Sequence, residues 1–176
     1  TAILSVVPFY NKPSQEGIYR HFMAVASASP VPVIIYNVPG RTGVNMTAET
    51  TLRLAHATPK IVAIKEACGN IEQMKQIVAA RPEGFLVLSG DDALTVELIK
   101  CGVISVAANA FPEKFCTCVH DAMNGDITKA EHELEQLMEP IGLLFREGNP
   151  TGVKGMCSVM GITDEEVRLP LVESTA

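Results

Sequence analysis

The stretch Ile61-Val-Ala-Ile-Lys65-Glu-Ala67 decides how this chain is read, because it places a lysine at the end of an otherwise apolar run. Its flanks read as a strand buried on both faces of a parallel sheet. A lysine in such a seat needs a chemical reason. At the ordinary lysine pKa of about 10.4, roughly one amine in a few thousand is neutral at pH 7, and each unit of depression raises that fraction about tenfold. Burial among apolar groups pushes in that direction. The neutral amine is a nucleophile towards carbonyls and forms Schiff bases. The plainer reading is that Lys65 pairs with a carboxylate, Glu66 being nearest in sequence, or reaches out to solvent. Adjacent residues of a strand point to opposite faces, so Glu66 is poorly placed to pair with it.

On both sides of this stretch the same unit recurs: an apolar strand, a loop, an amphipathic helix. Strand ends fall near Pro8, Tyr36, Lys65, Ser89 and Val106, with residues 33–36, 85–88 and 103–106 as the other apolar runs. Ser14, Thr47 and Asn70 are placed to cap helices, and Gln73 follows Asn70 in capping-box position. A helix through Leu94, Leu98 and Cys101 is expected before the fifth strand. The remainder reads as helical. Phe115, Val119, Ala122 and Met123 form one face, and Ala130, Leu134, Leu137, Ile141 and Leu144 form another, with a kink expected at Pro140. A short helix is expected near 153–160, and Thr163 with Glu166 marks a further helix start.

These intervals suit βα units, whose parallel strands need a crossover of a dozen or more residues. An open doubly wound sheet and part of a (β/α)₈ barrel both fit. No GxGxxG follows any strand, which removes the simplest argument for a dinucleotide fold. The unusual polar residues cluster at strand C-terminal ends and in the loops just after them, where barrel enzymes keep their active sites. Barrels take about 250 residues, so five units make an incomplete one.

Composition narrows the function classes. Hydrophobic residues make up 47% and charged ones 19% of the 176, as in a globular chain. The net charge is -6 with no basic cluster, which speaks against nucleic acid as a partner. No apolar run has the length of a membrane span, so the expectation is a soluble, cytoplasmic protein. The five cysteines are odd in number and lie mostly within patterned segments, so reduced thiols are expected. Cys116-x-Cys118-x-His120 does not read as a metal site, because positions i and i+2 do not share a helix face. The chain opens within a strand pattern and without an initiator methionine, as a piece of a longer polypeptide would.

Three candidates share the strand-end rim: Lys65, Tyr36 at the end of the second strand, and Arg41 in the loop after it. Neighbouring strands are less than about 5 Å apart, so Tyr36 and Lys65 can meet above the sheet. A phenol there can move protons while a lysine amine attacks a keto group. Arg41 offers a planar fork for a carboxylate. Read alone, Tyr36 is equally a strand aromatic with its hydroxyl at the wet end, and Arg41 a surface loop arginine. Ser89-Gly-Asp-Asp92 reads as a helix cap in preference to a cation site.

Five ordered motifs carry a resemblance: Pro-Phe-Tyr-Asn-Lys-Pro (8 to 13), Tyr-Asn-Val-Pro-Gly-Arg-Thr-Gly (36 to 43), Ile-Lys-Glu-Ala (64 to 67), Leu-Ser-Gly-Asp-Asp (88 to 92) and Gly-Val-Ile-Ser-Val-Ala-Ala-Asn (102 to 109). In order and near spacing the chain resembles the dihydrodipicolinate synthase family of the class I aldolase superfamily. The resemblance implies a (β/α)₈ TIM barrel with a C-terminal helical extension. On that reading this chain holds about strands 4 to 8, with residues 1–111 in the barrel and 112–176 forming its last helix and the extension. It implies condensation of pyruvate with aspartate semialdehyde in lysine biosynthesis, with no metal and no cofactor beyond the covalent imine of pyruvate on Lys65. By motif position Tyr36 is the proton donor and acceptor, and Tyr10 matches a relay tyrosine that reaches a neighbouring subunit's site. Arg41 holds the semialdehyde carboxylate, and the Ile104 backbone lines the pyruvate pocket. A homo-oligomer follows, a dimer or dimer of dimers with Tyr10 at its interface.

There are departures. The family's Gly-Thr-Thr-Gly-Glu motif would lie before residue 1. Phe9 stands where many relatives carry a tyrosine that contacts inhibitory lysine. The approach to Gly102 is a few residues shorter than the usual glycine-rich turn. N-acetylneuraminate lyase and related 2-keto acid aldolases share the tyrosine and lysine, and Arg41-Thr-Gly favours the synthase over them. A catalytically incomplete fragment, acting only through association with other chains, is the remaining alternative.

Overall fold

The structure is a computed structural model and describes residues 1–175. It forms two compact units, one of residues 1–91 with 101–104, the other of the remaining described residues.

The first unit is a parallel α/β layer structure. Strands β1 (Ile3–Val6), β2 (Val33–Asn37), β3 (Ile61–Glu66) and β4 (Leu86–Ser89) lie side by side in sequence order, all parallel. Helix α1 (Gln15–Ala28) joins β1 to β2; α2 (Pro39–Thr42) and α3 (Ala48–Ala57) join β2 to β3; α4 (Ile71–Ala80) joins β3 to β4. Three of these helices begin where the sequence places caps. Ser14 Oγ accepts from Gly17 N–H at 3.2 Å, Thr47 Oγ1 from Thr50 N–H at 3.3 Å, and Asn70 Oδ1 from Gln73 N–H at 3.1 Å. Each such cap contributes about 1 kcal/mol. Ile18 and Phe22 of α1, Leu54 of α3, and Met74 and Ile77 of α4 are fully buried with Val33, Ile35, Ile64 and Val87 of the strands. On the face away from these buried residues, Ile34 and Tyr36 of β2 are half-buried, whereas Ala63 and Lys65 of β3 are buried.

The fifth strand expected at 103–106 does not form. Val103 makes one parallel bridge to Ser89, flanked by Ser89 N–H donating to Gly102 O and Ile104 N–H donating to Ser89 O, each at 2.9 Å. Pairing on that side of β4 thus starts opposite its last residue. The helix expected through Leu94, Leu98 and Cys101 is replaced by two 3₁₀ turns, Asp92–Leu94 and Ile99–Cys101. The connection's length explains both departures. Residues 90–102 barely supply the dozen that a parallel crossover needs, and the first of them are spent on the rim. What is left is too short for several helical turns and a full return along the strand.

The second unit is helical: α5 (Pro112–Met123), α6 (Ile127–Arg146) and α7 (Thr151–Val159). Ala130, Leu134, Leu137, Ile141 and Leu144 on α6 are buried, as their spacing predicts. On α5 the buried stripe is Phe115, Cys118 and Ala122; of the face expected from sequence, Val119 is only half-buried and Met123 is exposed, because the stripe runs through i+3 from Phe115 and not through i+4. Helix α6 runs on through Pro140. Asp92 acts as a cap, though not of the helix next in sequence. Its Oδ2 accepts from Val106 and Ala107 N–H at 3.1 and 2.8 Å, at the start of the 3₁₀ turn Ala107–Asn109. No helix begins at Thr163; the segment is irregular up to Pro170. Fewer than two turns lie between them, too few to offset nucleation, and the residue before a proline disfavours helix.

Candidate active site

Lys65 is the penultimate residue of β3 and is 9% exposed. Its register partners are Tyr36 on β2 and Leu88 on β4. Lys65 Nζ lies 4.6 Å from the centroid of the Tyr36 ring. The two residues proposed from sequence to meet do so, and on one face of the sheet.

Tyr36 is half-buried. Burial pushes its phenol above the ordinary tyrosine range, and the Arg41 guanidinium opposes that rise. Arg41 therefore lies close enough for its charge to be felt at the phenol. It is carried by the single turn α2, with Pro39 at its start and Gly43 closing it through N–H donation to Pro39 O at 2.9 Å. Gly43 has φ +74°, in the left-handed region where glycine carries no steric penalty. Arg41 itself is exposed.

Gly90, which sequence reasoning treated as part of a cap, closes the lysine's seat. Its N–H donates to Glu66 O at 2.8 Å. A Cβ built there would come within 2.8 Å of both Lys65 Cε and Ala67 Cβ. The backbone passes directly against the lysine's methylene stem, and only glycine fits.

Glu66 points the other way, as strand alternation requires, and is fully buried. Asn37 Nδ2 lies 2.9 and 3.0 Å from its two carboxylate oxygens, Gln73 Nε2 donates at 3.0 Å, and Cys68 N–H at 3.0 Å. Asn37 Oδ1 accepts from Met46 N–H at 3.1 Å, and Asn45 Nδ2 donates to Gln73 Oε1 at 2.9 Å. Burial pushes the Glu66 carboxyl above its ordinary range despite these donors. Gln73 thus does not close a capping box; its amide is drawn to the buried carboxylate instead. Asn37 and Asn45 are not singled out by the sequence, and Gln73 reads there only as a capping residue. Asn37 and Glu66 did carry a signal, as polar residues on the helix-covered side of buried strands.

The two remaining candidates lie further out on the rim. Ile104 is half-buried and tied to the end of β4 through Ser89 O. Tyr10 stands 86% exposed on the loop after β1, with φ +68°, and Lys12 has φ +44°. Non-glycine residues seldom hold such angles, so this loop is conformationally strained.

Fold and site together define a parallel α/β protein with a buried lysine and a tyrosine side by side at the C-terminal rim of its sheet. The sequence profile of the Dihydrodipicolinate synthetase family matches residues 1–176. The chain belongs to that family. It is 56% identical over 174 residues to the 4-hydroxy-tetrahydrodipicolinate synthase of Azobacteroides pseudotrichonymphae genomovar. CFP2, covering 97% of this chain and 59% of that protein. The crystal structure of dihydrodipicolinate synthase from Aquifex aeolicus superposes with a TM-score of 0.93 at 42% identity, covering 98% of this chain and 60% of that one. That of the chloride-inhibited synthase from Acinetobacter baumannii complexed with pyruvate superposes with a TM-score of 0.92 at 40% identity, again covering 98% and 60%. The chain spans about 59% of the length of the curated relatives it matches.

Proposed function

We propose that this chain carries the Schiff-base half of a 4-hydroxy-tetrahydrodipicolinate synthase, condensing pyruvate with L-aspartate 4-semialdehyde on the route to lysine. The observation that carries the reading is the buried Lys65 amine 4.6 Å from the Tyr36 ring, in a seat closed by Gly90. The family relationship supports it, as does the pyruvate complex of the Acinetobacter relative.

In this reading the neutral Lys65 amine attacks the pyruvate keto carbon, forming a carbinolamine. Tyr36 passes a proton to the departing hydroxyl, water leaves, and the C=N bond of the imine forms. Tyr36 accepts a methyl proton to give the enamine, whose carbon bonds to the aldehyde carbon of the semialdehyde while a proton passes to the aldehyde oxygen. Attack of the semialdehyde's amino group on the imine carbon then closes the ring and releases the Lys65 amine. Arg41 takes the semialdehyde carboxylate in its fork, and the Ile104 backbone borders the pyruvate. Tyr10, exposed and held in a strained loop, serves as a relay from a neighbouring subunit. That makes the working form a homo-oligomer, a dimer or dimer of dimers. No metal or further cofactor enters the chemistry.

The corresponding architecture is a (β/α)₈ barrel with a C-terminal helical extension, of which residues 1–111 are the later strands and 112–176 the last barrel helix and the extension. Arg41-Thr-Gly and the names of the relatives favour the synthase over the sialic acid lyase branch. Among the described residues no helix is long and apolar enough to cross a membrane. A cytoplasmic location is part of this proposal and rests on the biosynthetic role of the relatives.

The test is borohydride trapping with pyruvate on the intact protein, followed by peptide mapping. The adduct is expected on Lys65 and absent in Lys65→Ala; an adduct that survives that substitution overturns the assignment. Tyr36→Phe is expected to slow trapping by about a hundredfold, within the range of general acid–base contributions.

A further inference from the structure

We propose that Glu66, Asn37 and Gln73 are positioning residues: a hydrogen-bonded clamp on the helix-covered face of the sheet that sets how Lys65 meets Tyr36 on the opposite face. This rests on the Schiff-base reading above and extends it to residues that touch no substrate.

Glu66 follows Lys65, Asn37 follows Tyr36, and the two pairs are consecutive rungs of one parallel ladder. Whatever fixes Asn37 against Glu66 fixes the preceding rung as well. The main chain makes one such tie, Ala67 N–H to Asn37 O at 2.9 Å. The side chains add another, with Asn37 Nδ2 lying between the two carboxylate oxygens at 2.9 and 3.0 Å.

Packing alone does not call for these residues. Removing a carboxylate from water costs several kcal/mol, and well-packed apolar groups in such places are often as stable or more so. Yet Glu66 and Asn37 are both fully buried. What a carboxylate caged by donors supplies is geometric uniqueness, because Asn37, Gln73 and the Cys68 N–H approach it from three different elements of the chain and leave it one position that serves all three.

The clamp also reaches the neighbouring elements. Gln73 fastens Glu66 to α4, and Asn37 Oδ1 holds Met46 N–H in the segment between α2 and α3. The connection that carries Arg41 is thereby fixed to the same rung. Placement to a fraction of an ångström matters here, since a misplacement of about 1 Å can cost about a hundredfold in rate.

Glu66→Gln in the intact protein keeps shape and volume but replaces an acceptor oxygen with an amide that faces donors. Trapping of pyruvate on Lys65 is expected to slow about tenfold to a hundredfold, with the KM for pyruvate changed less than about threefold. The double variant Glu66→Gln/Gln73→Glu, which moves the carboxylate across the same hydrogen bond, is expected to recover most of the rate. Gln73→Met, which removes one donor from the helix side, gives a smaller loss and serves should Glu66→Gln fold poorly. A lowered melting temperature with a parental trapping rate in Glu66→Gln or Gln73→Met would show a structural role only and overturn the clamp while leaving the Schiff base standing. No recovery in a folded double variant would also overturn it. Absence of any Lys65 adduct in the parent would sink both readings.

Discussion

Lys65 and Tyr36 occupy one rung of the β2–β3 ladder, with the lysine nitrogen 4.6 Å from the tyrosine ring centroid. Two strands held at about 5 Å by their backbones bring the residues together without any help from flexible loops. Amine and phenol are on strands, whereas Arg41 is carried by a single helical turn and Tyr10 by a loop. Several measurable consequences come from this geometry.

Arg41→Ala removes a nearby positive charge that favours the tyrosinate, leaving the effect of burial unopposed. The Tyr36 phenol is therefore expected to titrate at higher pH in the variant. The chain has three tyrosines, so tyrosinate absorbance titration of Arg41→Ala against the parent, each with and without Tyr36→Phe, isolates the shift. An unchanged Tyr36 titration would show that the Arg41 charge does not reach the phenol.

Gly90→Ala is expected to abolish most imine formation, because the added methyl occupies the space of Lys65 Cε and Ala67 Cβ. Overpacking of this kind costs about 1–3 kcal/mol. Denaturant unfolding measures that loss, and borohydride trapping reports the displaced amine. A variant that traps pyruvate at the parental rate would mean the lysine stem has room to move aside.

Burial and the neighbouring Glu66 carboxylate push the Cys68 thiol up to about 12, so its reactive thiolate is scarce at neutral pH. Cys116 is exposed on α5. Brief alkylation at mildly alkaline pH with peptide mapping is expected to label Cys116 and spare Cys68, and Glu66→Gln is expected to increase Cys68 labelling. Rapid labelling of Cys68 in the parent would contradict the raised titration of its thiol.

Glu66 also makes stability depend on pH. Its folded-state pKa is raised, so the native chain keeps this proton where the unfolded chain has already released it. Glu66 therefore contributes fully below the unfolded value, about 4.3, and its contribution falls as pH rises towards the folded value. Glu66→Gln lacks this slope, and the stability of the variant relative to the parent is expected to improve with rising pH across that window. Urea midpoints at several pH values measure it; a constant difference would mean that the carboxyl titrates alike in both states.

Two glycines near one another in sequence separate by environment. Gly142 in α6 has open space around its missing Cβ, so Gly142→Ala is expected to stabilise by up to about 1 kcal/mol through helix propensity. Gly152 in α7 lies against the Leu144 backbone carbonyl, and Gly152→Ala forces α6 and α7 apart. Thermal melts of the two variants should move in opposite directions, and a neutral Gly152→Ala would deny the close approach.

The first four strands and their helices were legible because periodicity, caps and strand-end residues all pointed the same way. Ser14, Thr47 and Asn70 cap helices as their positions predict, and Lys65 and Tyr36 pair as their ladder positions predict. The fifth strand was misread because an apolar run such as 103–106 says nothing about whether the preceding crossover is long enough to bring it alongside its neighbour. The clamp was missed for another reason. Gln73 carries a capping-box signature, and only the three-dimensional neighbourhood shows that Glu66 competes for its amide and wins.

Because alternate positions of β2 and β3 look in opposite directions, reactivity and anchorage are recorded in interleaved letters of the same few residues. Side chains at positions 36 and 65 can therefore be substituted without touching the hydrogen bonds between 37 and 66, and those at 37 and 66 without entering the opposite face.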